Sequence, residues 1–225
     1  MYLYREAARA RGLRPDSTRV VIQGFGNVGS WAARLITELG SKLIGVSNTS
    51  GAIHCAAGID PKALADHLAH GGTLVEYPAA DPISPEDLVS LDCEVLIPAA
   101  LGGTIHATNA ESIRARVVIE GANNPTTPAA DDILRDKDVL VIPDVLANSG
   151  GVVVSYFEWV QNLQHLSWEE HEVNNKLGAR MRGAYREVEQ RANRGDGASL
   201  RVAAYELAIE RVLDASRLRG YGGYA

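Results

Sequence analysis

A glycine-rich turn near the start of the chain carries the clearest chemical signal. The apolar run Val20–Ile22 precedes this turn, and residues 30–36 after it have helical spacing. The turn itself consists of Gly24, Phe25, Gly26, Asn27, Val28 and Gly29. Because the free N–H groups of a helix N-terminus attract anions, the pattern predicts binding of a dinucleotide pyrophosphate. A purely structural glycine turn is the alternative.

Each glycine of this turn has its own predicted role. Gly24 permits a tight turn, Gly26 lacks the Cβ that would block the phosphates, and Gly29 allows strand and helix to pack closely. Lys42–Ser47 is predicted as the next strand, which completes a right-handed βαβ unit.

The end of that second strand bears on the choice of coenzyme. An Asp or Glu commonly holds the adenosine ribose at this point, but here the sequence has Ser47, Asn48, Thr49 and Ser50. A carboxylate would repel a 2′-phosphate, whereas Asn48 does not, and the neighbouring hydroxyls can donate to phosphate oxygens. We therefore predict relaxed or dual use of NAD and NADP. The alternative is that Asn48 is a plain turn residue.

Composition excludes several classes of partner. The chain has 225 residues, 46% of them hydrophobic, which is enough to bury a full core. Its net charge of −6 offers no basic footprint for nucleic acid or an anionic membrane. No apolar signal region or membrane-length run is found, so a cytoplasmic location is expected. Cys55 and Cys93 are expected to be free thiols.

No metal site is expected from the histidines. His67 and His70 lie one turn apart on a predicted helix, but no third ligand or carboxylate-rich loop accompanies them. We interpret them as part of a solvated helix face. The stretch that follows, Thr73–Tyr77, is predicted as a short edge strand.

Three later apolar runs predict strands that are covered on both faces. Val95–Ile97, Val117–Ile119 and Val139–Ile142 are continuous instead of alternating. Each run ends in a small or polar loop, and ligands of open α/β sheets bind at such carboxyl ends. The helix with a predicted cap at Ser84 precedes these strands, and those with predicted caps at Ser167 and Ser199 follow them. The C-terminal helices are expected to expose apolar surface.

A helix is predicted after Pro143-Asp144, and its glycines need an explanation. Gly150 and Gly151 would each cost about 1 kcal/mol in a helix interior. Close approach of a ligand would compensate, with Asn148 and Ser155 as polar contacts on one stripe of the helix. Tight packing of the helix against the sheet is the alternative.

Four segments together resemble the coenzyme domain of glutamate dehydrogenases. They are residues 24–29, 120–127, 147–152 and 154–159. Residues 200–205 and 210–212 are similar to the closing helix of that family. Branched-chain and phenylalanine dehydrogenases share the fold, but Pro125-Thr126-Thr127 and the Ser-Tyr-Phe-Glu-Trp run resemble the glutamate branch.

The resemblance implies a role for each matching residue. The glycine turn with Asn27 and Val28 would hold the pyrophosphate, and Ala99 and Ala100 would border the adenosine. Asn123 would contact the nicotinamide ribose, Asn148 the nicotinamide carboxamide or the substrate, and Ser155 the side-chain carboxylate of glutamate. Two positions depart from the family pattern: Asn48 replaces a frequent acid, and Asn124 a frequent glycine.

The resemblance also implies a missing part. In this family an N-terminal domain supplies the catalytic lysine and aspartate, and this sequence has no room for that domain before Gly24. None of Lys42, Lys62, Lys137 and Lys176 is predicted at the carboxyl end of a strand. We therefore expect no catalytic residue in this chain, which would bind dinucleotide without turnover.

The predicted function is that of the coenzyme-binding domain of an NAD(P)-dependent glutamate dehydrogenase. That enzyme converts glutamate, NAD(P)+ and water to 2-oxoglutarate, ammonia and NAD(P)H, and the full-length protein is expected to be a homo-oligomer. The alternatives are another amino-acid dehydrogenase acting on leucine, phenylalanine or valine, a stand-alone dinucleotide-sensing module, and a structural subunit that binds no nucleotide.

The predicted fold class is α/β, a Rossmann-type doubly wound and mostly parallel sheet with extra C-terminal helices. The predicted divisions are a lead-in helix in 1–18, the dinucleotide-binding domain in 19–165, helices packing on it in 166–218, and a mobile tail in 219–225.

Overall fold

The computed structural model describes residues 1–194 and 198–221. The chain divides into two compact units, Met1–Asn148 and Ser149–Ala225. The predicted domain boundaries stay predictions, and residues 222–225 of the predicted tail lie outside the described residues.

The first unit is built on a seven-stranded sheet. Its strands are β1 (Arg19–Gln23), β2 (Lys42–Asn48), β3 (Gly51–His54), β4 (Asp81–Ile83), β5 (Val95–Pro98), β6 (Val117–Ile119) and β7 (Leu140–Ile142). Their order is β4-β3-β2-β1-β5-β6-β7. Five neighbouring strands, β2, β1, β5, β6 and β7, are parallel to one another. Strand β3 pairs antiparallel with β2, and β4 pairs antiparallel with β3. The predicted fold class, a Rossmann-type and mostly parallel α/β sheet, is confirmed.

Burial explains why the continuous apolar runs form the inner strands. Val20–Ile22 has no exposed surface, and every residue of β5 and β6 is buried. Strands covered by helices on both faces need apolar side chains at successive positions, which is the pattern in these runs. The sheet is therefore a rigid support for the loops at its ends.

Some of the helices of the first unit begin at side-chain caps. They are α1 (Tyr2–Ala10), α2 (Asn27–Thr37), α3 (Pro61–Ala69), α4 (Pro85–Val89), α5 (Ala107–Ala110), α6 (Pro128–Asp136) and α7 (Asp144–Ala147). Asp60, Ser84 and Thr127 cap α3, α4 and α6 with their side chains, and each is followed by a proline at the first helical position. Among the described residues, no side chain caps α1, α2 or α7. The predicted cap at Ser84 is confirmed.

The predicted edge strand at Thr73–Tyr77 is wrong. Leu74–Glu76 is a short 3-10 helix closed by a capping box, in which the Glu76 carboxylate accepts from the Thr73 backbone N–H at 3.1 Å. These local bonds outweigh the β-propensity of the stretch. The edge of the sheet is formed instead by β4, whose Pro82 suits an edge strand.

The described residues of the second unit form three helices, α8 (Gly150–Gln164), α9 (Glu170–Ala192) and α10 (Leu200–Leu218). Ser199 caps α10 as predicted, since its hydroxyl accepts from the Val202 N–H at 3.3 Å. The predicted cap at Ser167 is wrong, because Glu169 occupies the N-cap and forms a capping box with Glu172. Helix α9 packs against α8 and α10, and its buried residues are Gly178, Met181, Tyr185, Val188 and Ala192.

Apolar side chains are exposed on two helices of the second unit, as expected for α10 but not predicted for α8. On α8 and α10 they are Val152, Tyr156, Trp159, Leu163, Val202, Tyr205, Ile209, Val212, Leu213 and Leu218. Such surface commonly contacts further protein. Within the part of the chain that the structure describes, no helix is both long and apolar enough to span a membrane.

The two adjacent glycines do not lie in a helix interior, which corrects the predicted helix after Asp144. Helix α7 ends at Ala147, and α8 starts at Gly150. Gly150 and Gly151 therefore occupy the first turn of α8, where the cost of glycine needs no ligand to offset it. A Cβ at Gly150 would meet Leu177 at an ordinary contact distance of 3.7 Å.

Candidate functional site

The predicted site residues of the first unit lie on loops along one edge of the sheet. The parallel strands β2, β1, β5, β6 and β7 all end at this carboxyl edge. Strand β1 pairs with β2 on one side and with β5 on the other, so the direction of winding reverses between β1 and β5. Open α/β sheets bind ligands in the crevice at such a switch point.

The glycine turn is held at this switch point by close contacts. The Gly24 N–H donates to the Ser47 carbonyl at 3.0 Å, and a Cβ on Gly24 would lie 2.8 Å from the carbonyl oxygen of Ala99. Gly24 also has φ of +102°, a conformation that favours glycine. A Cβ on Gly29 would collide with the carbonyl of Gly24. The predicted structural roles of these two glycines agree with this geometry.

Gly26 differs from the other two glycines because its surroundings are open. It is exposed, and no described atom lies within 4 Å of the position that a Cβ would take. Its φ of −93° is accessible to any residue. The open space in front of Gly26 is therefore a cradle that a ligand could enter and a Cβ would narrow.

The N-terminus of α2 fits an anion. Gly26 is the N-cap, and no side chain of the described residues caps this helix. The first helical bond runs from the Ser30 N–H to the Gly26 carbonyl at 2.9 Å, so the N–H groups of Asn27 and Val28 precede the helical bonding pattern. A pyrophosphate would satisfy these donors and the helix dipole together. Phe25, beside Gly26, is half-buried. The N-terminus of α2 thus fits the pyrophosphate of a dinucleotide.

The end of β2 combines one buried and two accessible residues. Ser47 is buried, and its hydroxyl oxygen accepts from the Gly24 N–H at 3.2 Å, so it holds the turn. Asn48 is half-buried and forms an Asx turn, in which its amide oxygen accepts from the Ser50 N–H at 2.8 Å and the Ser50 hydroxyl at 2.7 Å. Thr49 is exposed. The structure therefore gives Asn48 the turn role that was the alternative, and leaves its amide nitrogen for a ligand.

The loop after β5 borders the glycine turn. The Ala99 N–H donates to the Gln23 carbonyl at 2.7 Å, and Ala100 is exposed next to it. The Pro98 carbonyl accepts from the Gly121 and Ala122 N–H groups, each at 2.9 Å, which ties this loop to the one after β6. Ala99 and Ala100 thus lie beside the crevice.

Two asparagines that are far apart in the sequence meet at the other end of this edge. The Asn148 side-chain amide donates to the Asn123 side-chain oxygen at 2.7 Å. The neighbour Asn124 has φ of +46°, which asparagine tolerates nearly as well as the glycine that is frequent there. The structure therefore brings Asn123 and Asn148 together, and their roles toward a coenzyme stay predictions.

Two buried acids support these loops, and the sequence analysis assigned a site role to neither. Glu120 is completely buried at the end of β6, and Asp144 is 5% exposed at the start of α7. The Glu120 carboxylate accepts from the Asp144 N–H at 2.8 Å, and the Asp144 carboxylate accepts from the Asn124 N–H at 2.7 Å. Both acids follow a continuous apolar run, Glu120 directly and Asp144 after Pro143, which places them at the carboxyl edge but does not indicate that they are buried.

Ser155 is the one predicted site residue in the second unit. It lies exposed on α8. Its predicted contact with a substrate carboxylate stays a prediction.

The remaining candidates for chemistry have structural partners. His67 contacts the Thr73 carbonyl at 2.8 Å and His70 the Asp66 carbonyl at 2.7 Å. Within the described ranges, no group of three or more His, Cys, Asp or Glu side chains could hold a metal ion. The two cysteines are unpaired, and burial, with a smaller effect of Glu94, raises the pKa of the Cys93 thiol to about 12.

A parallel α/β sheet with a glycine turn at its switch point defines a Rossmann-type domain. The chain belongs to the Glutamate/Leucine/Phenylalanine/Valine dehydrogenase family, whose model matches residues 1–220.

Its relatives are twice as long as this chain. It is 49% identical over 210 residues to the glutamate dehydrogenase of Thermotoga maritima, covering 93% of this chain and 50% of that protein. It is 43% identical over 216 residues to the NAD-specific glutamate dehydrogenase of Staphylococcus aureus, covering 96% and 52%. The hetero-hexameric glutamate dehydrogenase of Thermus thermophilus, in a leucine-bound form, superposes with a TM-score of 0.91 at 35% identity, over 100% of this chain and 52% of that one. The chain thus spans about half the length of these relatives.

Proposed function

We propose that this chain is the coenzyme-binding domain of an NAD(P)-dependent glutamate dehydrogenase. The single observation that carries this proposal is the N-terminus of α2, which no described side chain caps and which opens onto empty space at Gly26. An uncapped helix N-terminus at the switch point of a parallel sheet is where dinucleotides bind. The names of the curated relatives support the choice of glutamate as substrate.

The residues along the carboxyl edge would divide the coenzyme among them. The N–H groups of Asn27 and Val28 would hold the pyrophosphate, and the end of β2 with Asn48 and Thr49 would hold the adenosine ribose, bordered by Ala99 and Ala100. Asn123 and Asn148 would receive the nicotinamide half. When bound, the coenzyme supplies a hydride acceptor for the oxidation of an amino acid.

We propose that the catalytic lysine and aspartate come from polypeptide outside this chain. Lys42 begins β2 and Lys137 precedes β7, so both lie at the amino ends of strands, and Lys137 donates to the Ile113 carbonyl at 2.9 Å. Lys62 lies 3.7 Å from the Asp66 carboxylate on α3, and Lys176 stacks on Trp168 in the second unit. No lysine follows a strand of the described sheet. The chain alone would therefore bind coenzyme without turnover.

The rest of the enzyme would cover apolar surface that this chain exposes. The exposed side chains of α8 and α10 support a contact with further polypeptide. Ser155 on α8 would bind the side-chain carboxylate of glutamate. The full-length protein is proposed to be an oligomer, in keeping with the hexameric relative from Thermus thermophilus.

Calorimetric titration of the chain with NADH and, separately, NADPH tests this proposal. Both coenzymes are expected to bind, because Asn48 introduces no negative charge beside the ribose. The substitution Asn48→Asp should weaken NADPH at least about tenfold, since the carboxylate repels the 2′-phosphate, and leave NADH nearly unchanged.

The control is Asn48→Ala, which removes the Asx turn without adding charge. If Ala and Asp weaken NADPH equally, the turn and not the charge controls coenzyme choice. Binding of neither coenzyme to the wild-type chain would contradict the proposed function.

A further inference from the structure

The loops that carry Asn123 and Asn148 are joined through buried carboxylates. Asp144 is the centre of this connection: one carboxylate oxygen accepts from the Asn124 N–H at 2.7 Å, and the other from the Val145 N–H at 2.7 Å. The first bond reaches the residue next to Asn123. The Asn148 N–H in turn donates to the Asp144 backbone carbonyl at 3.0 Å. A single aspartate therefore contacts both loops.

Glu120 fixes that aspartate. Its side chain is completely buried, and its carboxylate accepts from the Asp144 N–H at 2.8 Å. Glu120 itself is anchored at the end of β6, where its N–H donates to the Ile142 carbonyl of β7 at 3.1 Å. Glu120 thus fixes the position of Asp144 relative to the sheet.

Holding two loops together with buried carboxylates costs desolvation free energy. Removing an ionised carboxylate from water costs free energy that hydrogen bonds only partly return. Elsewhere in the same unit, the groups that accept backbone N–H groups at helix starts include the hydroxyls of Ser84 and Thr127 and the carboxylate of Asp60, which is exposed and stays in contact with water. The use of buried acids at this edge indicates a requirement for strong, well-directed bonds instead of simple capping.

The consequence is an amide pair with one donor and one acceptor available. The Asn148 amide nitrogen donates to the Asn123 oxygen at 2.7 Å, so the Asn123 nitrogen remains as a donor and the Asn148 oxygen as an acceptor. Reversing both amides would likewise leave one donor and one acceptor of the pair available. A primary carboxamide, which carries one carbonyl and one NH₂ group, is the complementary partner.

We propose that Glu120 and Asp144 are positioning residues that pre-organise Asn123 and Asn148 for the nicotinamide carboxamide. This inference rests on the proposed function, because it assumes that the crevice binds a nicotinamide dinucleotide. It goes further in assigning a role to two buried acids that do not touch the coenzyme. Pre-organisation lowers the cost of ordering the loops when the ligand binds.

The test compares NADH with ADP-ribose, which lacks only the nicotinamide. Dissociation constants of both ligands are measured by calorimetry for the wild-type chain and for Asp144→Asn, Glu120→Ala and Glu120→Gln. Asp144→Asn keeps one acceptor oxygen but turns an NH₂ group toward an N–H donor. Asp144→Asn and Glu120→Ala should each weaken NADH about tenfold, the effect of losing a buried hydrogen bond, and change ADP-ribose less than about twofold.

Glu120→Gln is the rescue variant. It retains an oxygen that accepts from the Asp144 N–H, so its preference for NADH over ADP-ribose should stay within about twofold of wild type. If Glu120→Ala fails to fold, the comparison of the two isosteric variants, Glu120→Gln and Asp144→Asn, still decides the question. Asp60→Ala is the matched control, because Asp60 accepts backbone N–H groups at the start of α3. It should lower stability without changing the ratio of the two affinities.

Three outcomes would overturn the inference. One is equal weakening of both ligands in Asp144→Asn and Glu120→Ala, which indicates a general structural role. Another is unchanged binding of NADH in both. The third is a wild-type chain that binds NADH no more tightly than ADP-ribose. A wild-type chain that binds neither ligand contradicts the proposed function itself, and is therefore distinguishable from these.

Discussion

The two ends of the parallel strands are stabilised in different ways. At the amino ends, charged side chains pair: Arg19 donates to Asp92 at 2.9 Å and to Glu94 at 2.6 Å, and Arg11 donates to Asp138 at 3.0 Å. At the carboxyl ends, the loops are joined by backbone bonds, close glycine contacts and two buried acids. At the amino edge, charged side chains thus pair with one another, whereas the carboxyl edge retains backbone N–H groups that can bind a ligand.

This difference separates residues that support stability from residues available for binding. The hydrogen bonds that the Arg19 guanidinium donates to Glu94 and Asp92 raise its pKa. Burial alone would raise the pKa of Glu94, but the side-chain and backbone hydrogen bonds from Arg19 outweigh burial and lower it. Changes at the amino edge should therefore affect folding alone, and changes at the carboxyl edge should affect binding, folding or both.

The largest expected effect is that of Gly29→Ala. A Cβ at this position would collide with the Gly24 carbonyl and approach Ile22 to 3.2 Å, so α2 would be pushed away from β1. We expect a loss of about 3 kcal/mol or more in the free energy of unfolding. Urea denaturation followed by circular dichroism measures this loss. A variant with wild-type stability would show that the turn relaxes freely, and would remove the structural argument for this glycine.

Gly26→Ala is expected to have a smaller effect, and on binding instead of folding. The backbone φ of −93° suits alanine, and no described atom lies near the added methyl group. Stability should be unchanged or slightly higher. The affinity for NADH should fall about tenfold, because the methyl group enters the phosphate cradle. Calorimetry measures the affinity of the variant for NADH. An unchanged affinity would show that the pyrophosphate binds elsewhere.

The substitution Arg19→Met tests whether the amino edge supports stability without affecting binding. It removes the partner of the half-buried Glu94 but preserves apolar packing of the side chain. We expect a loss of about 1 kcal/mol in stability, since the pair is partly screened by solvent, and no change in NADH affinity. Arg14→Met is the matched control, because the Arg14–Asp16 pair is exposed and its loss should leave stability unchanged.

The paired carboxylates of the amino edge predict that stability depends on pH. The pKa of Glu94 lies below its ordinary value of 4.5, and the pKa of Asp92 and of Asp138 below 3.8. A lowered pKa in the folded state contributes stability that is present above the ordinary value and lost as the pH falls through the lower one. Unfolding free energy should therefore fall as the pH is lowered below 4.5, and less steeply in Arg19→Met. Parallel curves for the two proteins would exclude Arg19 as the cause.

The fold was predictable where local and global signals agree. The apolar runs at β5 and β6 are continuous because both faces of each strand are buried, and such runs are readable without knowledge of the partners. The run at β7 was also readable, although Leu140 and Val141 are only partly buried. Caps at Ser84 and Ser199 were equally readable, since a cap depends on residues three positions away. At Thr73 the side-chain bonds of a capping box competed with β-propensity, and the edge strand was misplaced.

The candidate site was predictable in its residues but only partly in its geometry. The glycine turn is contiguous, so its spacing alone indicates which glycine permits close approach. The meeting of Asn123 with Asn148 depends on a tertiary contact between the ends of β6 and α7. Nothing in the local pattern marks Glu120 as buried, since acids after strands are more often solvated.

The place of β1 in the sheet has a consequence for the order of folding. Val20 pairs with Leu43 across a short connection and with Val95 across a long one. Closing the longer connection loses more chain entropy, so we expect β1 and β2 to associate before β5 docks. Because Ala99 after β5 forms one wall of the glycine turn, the crevice is completed only by that late step. A partly folded chain would thus already contain α2 and still lack a formed binding site.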